Sequence, residues 1–348
     1  MTRIVRPLLC TLVFFAGLCG VARMLNRTEP FGEVPLVRDK WAYWQQHKDE
    51  FDVVFIGTSR VIRGVMPSVF DRMTAAGGVP TRSYNFGIDG MFPPEDAFVA
   101  EHVLATKPAK LRWVVVEMGV FLGDFEGRAP KSIRSVYWHD WTRTWLCMRE
   151  KLWPKKKRVK LKEWFKTEKG EPSAMSVALT HLDVFIVQAL NIGRGANWWE
   201  RVAFNRPIKF EDFGQQPDGF LPIPGNPEMK GEILARFEKE MADREKTPAR
   251  VVPLRPYSQE SFDRIHKAAR AAGANVIFLV APTTGELAGR PEGVPTFNYR
   301  DIKKYPELFE KDARVDPAHM SAKGAELFTR RLAADFIDLA KSQPAASR

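Results

Sequence analysis

Phe51-Asp-Val-Val-Phe-Ile-Gly57-Thr58-Ser59-Arg60-Val61 decides the fold of this chain. Val53 to Ile56 are apolar without interruption and run into a glycine, a threonine and a serine. A strand covered on both faces of a parallel sheet reads as such an unbroken run, whereas a half-exposed strand alternates. Gly57 allows a sharp turn from strand to helix, which sets Ser59 at the start of the next helix. That is the carboxyl edge of the sheet, where α/β proteins bind ligands. A serine there is either a helix cap or a nucleophile.

The same rhythm extends outward on both sides. Tyr84 to Gly90 reads as a short strand ending in a glycine turn, Glu95 to Thr106 as a helix, and Leu111 to Gly119 as a third apolar strand. After a long interval come Gln259 to Ala272 (an amphipathic helix), Asn275 to Ala281 (a buried strand) and Ser321 to Leu339 (a strongly amphipathic helix). Strands alternating with helices at this spacing predict a parallel sheet with helical crossovers. Trp41 to His47 reads as a short helix, and Gly285 to Arg300 reads as loop.

Two regions stand outside the pattern. Arg3 and Arg6 precede sixteen uncharged residues, Pro7 to Ala22, closed by Arg23. A basic flank before an apolar run implies export or anchoring. With no clear small-x-small site before Arg23, a retained anchor is the preferred reading, lengthened by Met24 and Leu25 beyond a snorkelling arginine. The second region, residues 126–250, reads as a helical and loop insertion. It carries Trp138, Trp141, Trp145, Trp153 and Trp164, and from Arg149 to Lys166 nine basic residues face two acidic ones. Tryptophans beside lysines suit a membrane interface or an anionic partner, and equally a solvated helix pair packed on the main domain. The expected order is thus an anchor at 1–25, the first part of the α/β domain at 36–125, the insertion, and the second part at 251–342.

The net charge of +11 comes without zinc-finger spacing or another nucleic-acid-binding signature, so no nucleic-acid partner is expected. Three cysteines, two of them in the first twenty residues, leave no disulfide framework. The histidines outside the C-terminal region have no ligand spacing, and neither metal nor cofactor is expected.

The chemistry converges on the chain ends. Asp316-Pro-Ala-His319 lets a carboxylate reach one imidazole nitrogen while the other faces outward. If the fold brings His319 within about 3 Å of Ser59, the three side chains make a nucleophile, a base and its orienting acid. Arg60 and Arg63 follow the serine and either orient an anionic substrate or form ion pairs. Glu117, inside an apolar strand, requires a partner, and either arginine is a candidate. Thr283 and Thr284 end a late strand and are placed to line the cleft.

Together these segments resemble the SGNH (GDSL-like) hydrolase superfamily. They are most similar to its membrane-tethered envelope branch, which includes the lipoteichoic acid D-alanylation protein and the alginate O-acetylation accessory proteins. Gly57-Thr58-Ser59 matches the first family block with its middle residue changed. Asn85-Phe-Gly87-Ile-Asp-Gly90 matches the second intact, and Asp316 to His319 the last. At the third block, Phe121 stands where the family has asparagine.

The resemblance covers roughly residues 51–122 and 258–340 and implies a three-layer α/β/α flavodoxin-like fold. It implies Ser59, His319 and Asp316 as catalytic residues and the N–H groups of Ser59 and Gly90 as oxyanion donors. The activity it implies is acyl, foremost acetyl, ester transfer or hydrolysis on an envelope or exported polysaccharide. A multi-pass membrane O-acyltransferase is the implied partner, and the body would lie on the outer side of a bacterial cytoplasmic membrane. Missing the asparagine donor costs a hydrolase about 3–4 kcal/mol. An aromatic residue in its place would favour transfer over hydrolysis by excluding water. A non-catalytic polysaccharide-binding or assembly subunit is the alternative.

Overall fold

The computed structural model describes residues 2–28, 30–31, 34–118, 132–152, 164–167, 172–191, 217–247, 251–285, 287–289 and 293–342. It divides into two compact units: Ala42–Phe121 with Lys209–Arg348, and Met1–Trp41 with Leu122–Ile208.

The larger unit is built on a parallel five-stranded sheet. Its strands are β1 (Val53–Ile56), β2 (Ser83–Asn85), β3 (Trp113–Glu117), β5 (Asn275–Val280) and β7 (Thr296–Asn298), in the order β2-β1-β3-β5-β7. A two-residue β4 (Val251–Val252) pairs separately with β6 (Leu287–Ala288). Register runs straight across the centre: Phe55 lies between Asn85 and Val115, and Val116 pairs with Phe278. Every residue of β1, β2 and β3 is buried, as expected when both faces are covered.

Because successive side chains point to opposite faces, the central strands divide their apolar residues between two cores. Val53, Phe55, Val115, Ile277 and Leu279 meet α4 (Pro67–Ala76) and α11 (Ala322–Ser342). There the Phe336 ring lies 5.1 Å from Phe70 and 5.2 Å from Trp113. On the other side α5 (Glu95–Ala105) packs on α10 (Pro256–Ala271), whose Phe262 meets Phe278 edge to face at 5.2 Å. The segment read as loop over 285–300 contains β6 and β7. Both are too short to show a period, and β7 is a half-exposed edge strand.

Residues 217–247 cluster with this sheet, although the sequence reads as insertion up to 250. The reason is visible in α9 (Gly231–Lys246): Arg244 donates to the carbonyls of Thr284 (2.5 Å) and Gly285 (3.0 Å), and Glu240 accepts the Thr284 hydroxyl. Phe237 of the same helix is buried and Met241 packs against the core, so apolar and polar contacts both hold it.

The smaller unit carries α1 (Thr2–Thr28), the first part of α2 (Pro35–His47, longer than the helix read at 41–47), α6 (Ile133–Tyr137), α7 (Trp141–Leu152) and α8 (Ala174–Ala189). Within α1, Val5–Thr28 has a mean hydropathy of 2.1 and is almost wholly exposed, so one helix near the N-terminus is long and apolar enough to cross a membrane. At ~1.5 Å per residue it spans ~36 Å, more than a bilayer's ~30 Å hydrocarbon core. α7 and α8 pack on each other. His139 Nδ1 donates to the Ser135 carbonyl, so its Nε2 must accept from His181 Nδ1 at 3.0 Å. Trp153 and the lysine run from 155 lie outside the described residues.

Three buried groups give pH signatures of opposite sign. In α4, Asp71 accepts from the Thr81 hydroxyl (2.9 Å) and the Ser83 N–H (2.8 Å), yet burial outweighs these bonds and raises its carboxyl to about 6. Between the ordinary aspartate range and pH 6 the folded state therefore binds the extra proton. Wild type should gain stability over Asp71→Asn as pH falls from 7 to 4, by up to about 3 kcal/mol in denaturant titrations. Burial, with the neighbouring histidine's charge for His139, instead depresses His139 to about 3 and His181 to about 4. There the unfolded chain takes up the protons first. The α7–α8 pair should lose hydrogen-exchange protection as pH drops from 6.5 towards 4, and His181→Gln should blunt that loss.

Candidate functional site

β1 ends at Ile56, and after Gly57 the chain turns at once into a one-turn helix, α3 (Ser59–Ile62). Thr58, in an extended conformation, is the helix cap: its hydroxyl accepts the Arg60 N–H at 3.2 Å. Ser59 is thereby relieved of capping, and its hydroxyl points elsewhere. Gly57 is required by close approach, since a Cβ there would lie 2.3 Å from Val61 Cγ2 and 2.7 Å from Glu117 Cβ.

Glu117, the last residue of β3, organises this turn. One carboxylate oxygen accepts the Thr58 N–H at 2.7 Å, and the other lies 2.5 Å from Arg60 Nε. Its side chain is 1% exposed, so the carboxylate brackets Ser59 from the residue before it and the residue after it. Arg60 is therefore its partner. Arg63 is committed to the Asp89 carboxylate (2.6 Å) and to the carbonyls of Leu221 and Pro222.

The second strand is drawn alongside. Past β2, the Phe86 N–H donates to the Phe55 carbonyl (2.8 Å) and the Ile88 N–H to that of Gly57 (2.9 Å). This carries the glycine turn, with Gly90 at φ +65°, along the end of β1. Asn85 is buried and structural here: its amide donates to the carbonyls of Val61 (2.8 Å) and Val65 (2.7 Å) and accepts the Gly87 N–H (2.9 Å). Asp218 and Gly219 close over it. The Asn85 N–H donates to the Asp218 carbonyl, and a Cβ at Gly219 (φ +85°) would fall 2.1 Å from the Asn85 carbonyl oxygen.

The loop before α11 brings Asp316 and His319 to Ser59. His319 Nε2 lies 2.7 Å from Ser59 Oγ, although the two residues are 260 positions apart. His319 Nδ1 lies 2.8 Å from Asp316 Oδ2, while Asp316 Oδ1 accepts the N–H groups of Ala318 (2.7 Å) and His319 (2.8 Å). A carboxylate accepts only, so Nδ1 carries the proton and Nε2 is free to accept from the serine. Burial by itself would raise the Asp316 carboxyl. The His319 hydrogen bond and charge, with the two backbone N–H groups, more than offset this and hold it below the usual carboxylate range. Asp316 is thus ionised at neutral pH, the state that fixes the imidazole tautomer.

Two features escaped the sequence reading. Arg314, fully buried, donates to the carbonyls of Pro282 (3.2 Å) and Pro317, tying the Asp316–His319 loop to the end of β5. Burial pushes its guanidinium down to about 10, so it keeps its charge at neutral pH. Nothing in a lone arginine before an aspartate marks this role. The Asp218–Pro222 segment likewise has no motif. Thr283 is half-buried: its carbonyl accepts Arg300 Nε (3.0 Å) and its hydroxyl accepts the Gly285 N–H (3.4 Å). Phe121 lies outside the described residues.

No family model, no curated protein and no solved structure matches the chain.

Gly57→Ala forces Val61 or Glu117 to move and should cost about 1–3 kcal/mol of stability by chemical denaturation. The same variant should slow labelling of Ser59 by a fluorophosphonate, because the displaced Glu117 no longer fixes Thr58 and Arg60.

Proposed function

We propose that this protein is an SGNH-like serine acyl-transfer enzyme acting on acetyl or related acyl esters of an envelope or exported saccharide. The observation that carries the reading is the hydrogen-bonded chain from Ser59 through His319 to Asp316 at 2.7 and 2.8 Å. The sheet supports it: counted along the chain, its strand order is 2-1-3-4-5, that of the flavodoxin-like doubly wound folds.

In this mechanism Ser59 Oγ attacks the acyl carbonyl as His319 Nε2 takes its proton. The collapsing tetrahedral intermediate releases the leaving oxygen, which receives that proton from Nε2. A saccharide hydroxyl or water then repeats the step in reverse and removes the acyl group. Asp316 keeps the imidazole oriented and stabilises its charged form. The Ser59 N–H has no acceptor among the described residues, which suits it to receive the developing oxyanion; the resemblance adds the Gly90 N–H. Asn85, Glu117 and Arg63 hold the backbone around the nucleophile, and Arg60 stands at the reacting end of the turn.

α1 would hold the protein in a bacterial cytoplasmic membrane with the larger unit on the outer side. There a multi-pass membrane O-acyltransferase would supply the acyl group.

Intact-mass analysis of the full chain after exposure to 4-nitrophenyl acetate tests the reading. One acetyl group should add to wild type and none to Ser59→Ala. His319→Ala should acylate about 10²–10⁴-fold more slowly. No gain in any variant would leave a saccharide-binding or assembly subunit as the function.

A further inference from the structure

We propose that the α7–α8 pair of the smaller unit is a second membrane contact. It would lie in the headgroup layer of the bilayer that α1 enters, with Trp141, Trp145, Phe185 and Ile186 set among anionic lipids. This rests on α1 being inserted, and its test separates the two.

Large apolar side chains on these helices are open to solvent instead of buried between them. Trp141 is 54% exposed, Trp145 41% and Ile186 41%. Trp141 and Trp145 stand four apart on α7, hence on one face, and their rings stack at 6.4 Å. The Trp141 ring also meets Phe185 of α8 edge to face at 5.4 Å. The exposed aromatics thus form one patch across both helices, of the kind that marks an interaction surface.

The position of the patch along α1 selects lipid as its occupant. The Asn26 amide donates to the Gln188 carbonyl (3.0 Å), and the Asn191 amide donates to the Ala22 carbonyl (2.7 Å). Ala22, near the C-terminal end of an otherwise exposed apolar helix, is only 2% exposed. The C-terminal end of α8 is therefore fixed to the C-terminal end of the apolar span, the level at which a spanning helix leaves the hydrocarbon. Phe185 and Ile186 lie within one turn of Gln188. The patch accordingly sits where tryptophan is enriched in membrane proteins, with its amphipathic ring between acyl chains and headgroups.

Charge supplies the rest of the argument. The chain from Arg149 to Lys166, which begins in the last turn of α7, carries nine basic residues against two acidic. Tryptophan on an apolar face followed by dense positive charge is the composition of a segment that lies on an anionic bilayer. An apolar protein partner would explain the tryptophans and leave the charge unaccounted for.

The test uses the full chain in vesicles of phosphatidylcholine with phosphatidylglycerol. Spin labels on the native Cys10 and Cys19, both exposed on α1, report insertion of the anchor. In a background with these two replaced by serine, labels at Ile186→Cys and Trp141→Cys report the patch. A label at Ile233→Cys, exposed on α9, gives the water reference. Collisions with a water-soluble nickel chelate should fall several-fold at 186 and 141 relative to 233, while collisions with oxygen rise. Equal access to the chelate at all three sites, with Cys10 and Cys19 shielded, would overturn the proposal and leave the face to a protein partner. Chelate access at Cys10 and Cys19 would remove the anchor, and the proposal with it.

Discussion

A carboxylate buried at the end of a central strand constrains everything around Ser59. Glu117 stands where the other residues of β3 are apolar, and an unpaired charge there would cost several kcal/mol. One oxygen accepts the Thr58 N–H and the other is ion-paired with the Arg60 guanidinium, and both partners come from the turn that contains Ser59. Holding the carboxylate and shaping the turn are one arrangement. Gly57 follows from it, because no other residue leaves room for Glu117 and Val61 against the strand end. Thr58 follows too: with its N–H on Glu117 and its hydroxyl capping the helix, the serine is left without a structural duty.

The same logic shows what the sequence made legible. Apolar strands alternating with helices specify a parallel sheet, and all four strands that were read from the pattern fall in it. Glu117 was conspicuous as a polar residue in an apolar run, and its need for an arginine could be stated before its partner was known. The choice between Arg60 and Arg63 could not be made. It depends on Asp89 and on the carbonyls of Leu221 and Pro222 claiming Arg63, and no local pattern places residues 26 and 158 positions away. Ser59 posed the converse problem. A serine opening a helix resembles a cap, and only the geometry of Thr58 shows that the neighbour has taken that role.

Segments held by polar contacts were the least visible. β7 is three residues at a sheet edge. α9 joins the larger unit through Arg244 and Glu240 on backbone and hydroxyl groups around Thr284, as well as through a buried Phe237 and through Met241 against the core. Hydrogen bonds from side chains to distant carbonyls leave no periodic trace, and their partners are set by the fold already formed.

The loop that delivers His319 depends most on such contacts. Asp-x-x-His gives the local turn, since Asp316 collects two backbone N–H groups and the imidazole by itself. That turn fixes His319 relative to Asp316 but not relative to Ser59. The longer placement comes from Arg314, whose guanidinium is removed from water and joins the Pro317 carbonyl inside the turn to the Pro282 carbonyl at the end of β5. β5 is hydrogen-bonded to β3, and β3 carries Glu117. The imidazole and the serine it faces are therefore referred to neighbouring strands of one sheet, each through a buried charge. The 2.7 Å approach between residues 260 apart thus rests on two buried ionic groups, Glu117 at the end of β3 and Arg314 bonded to the chain just past β5.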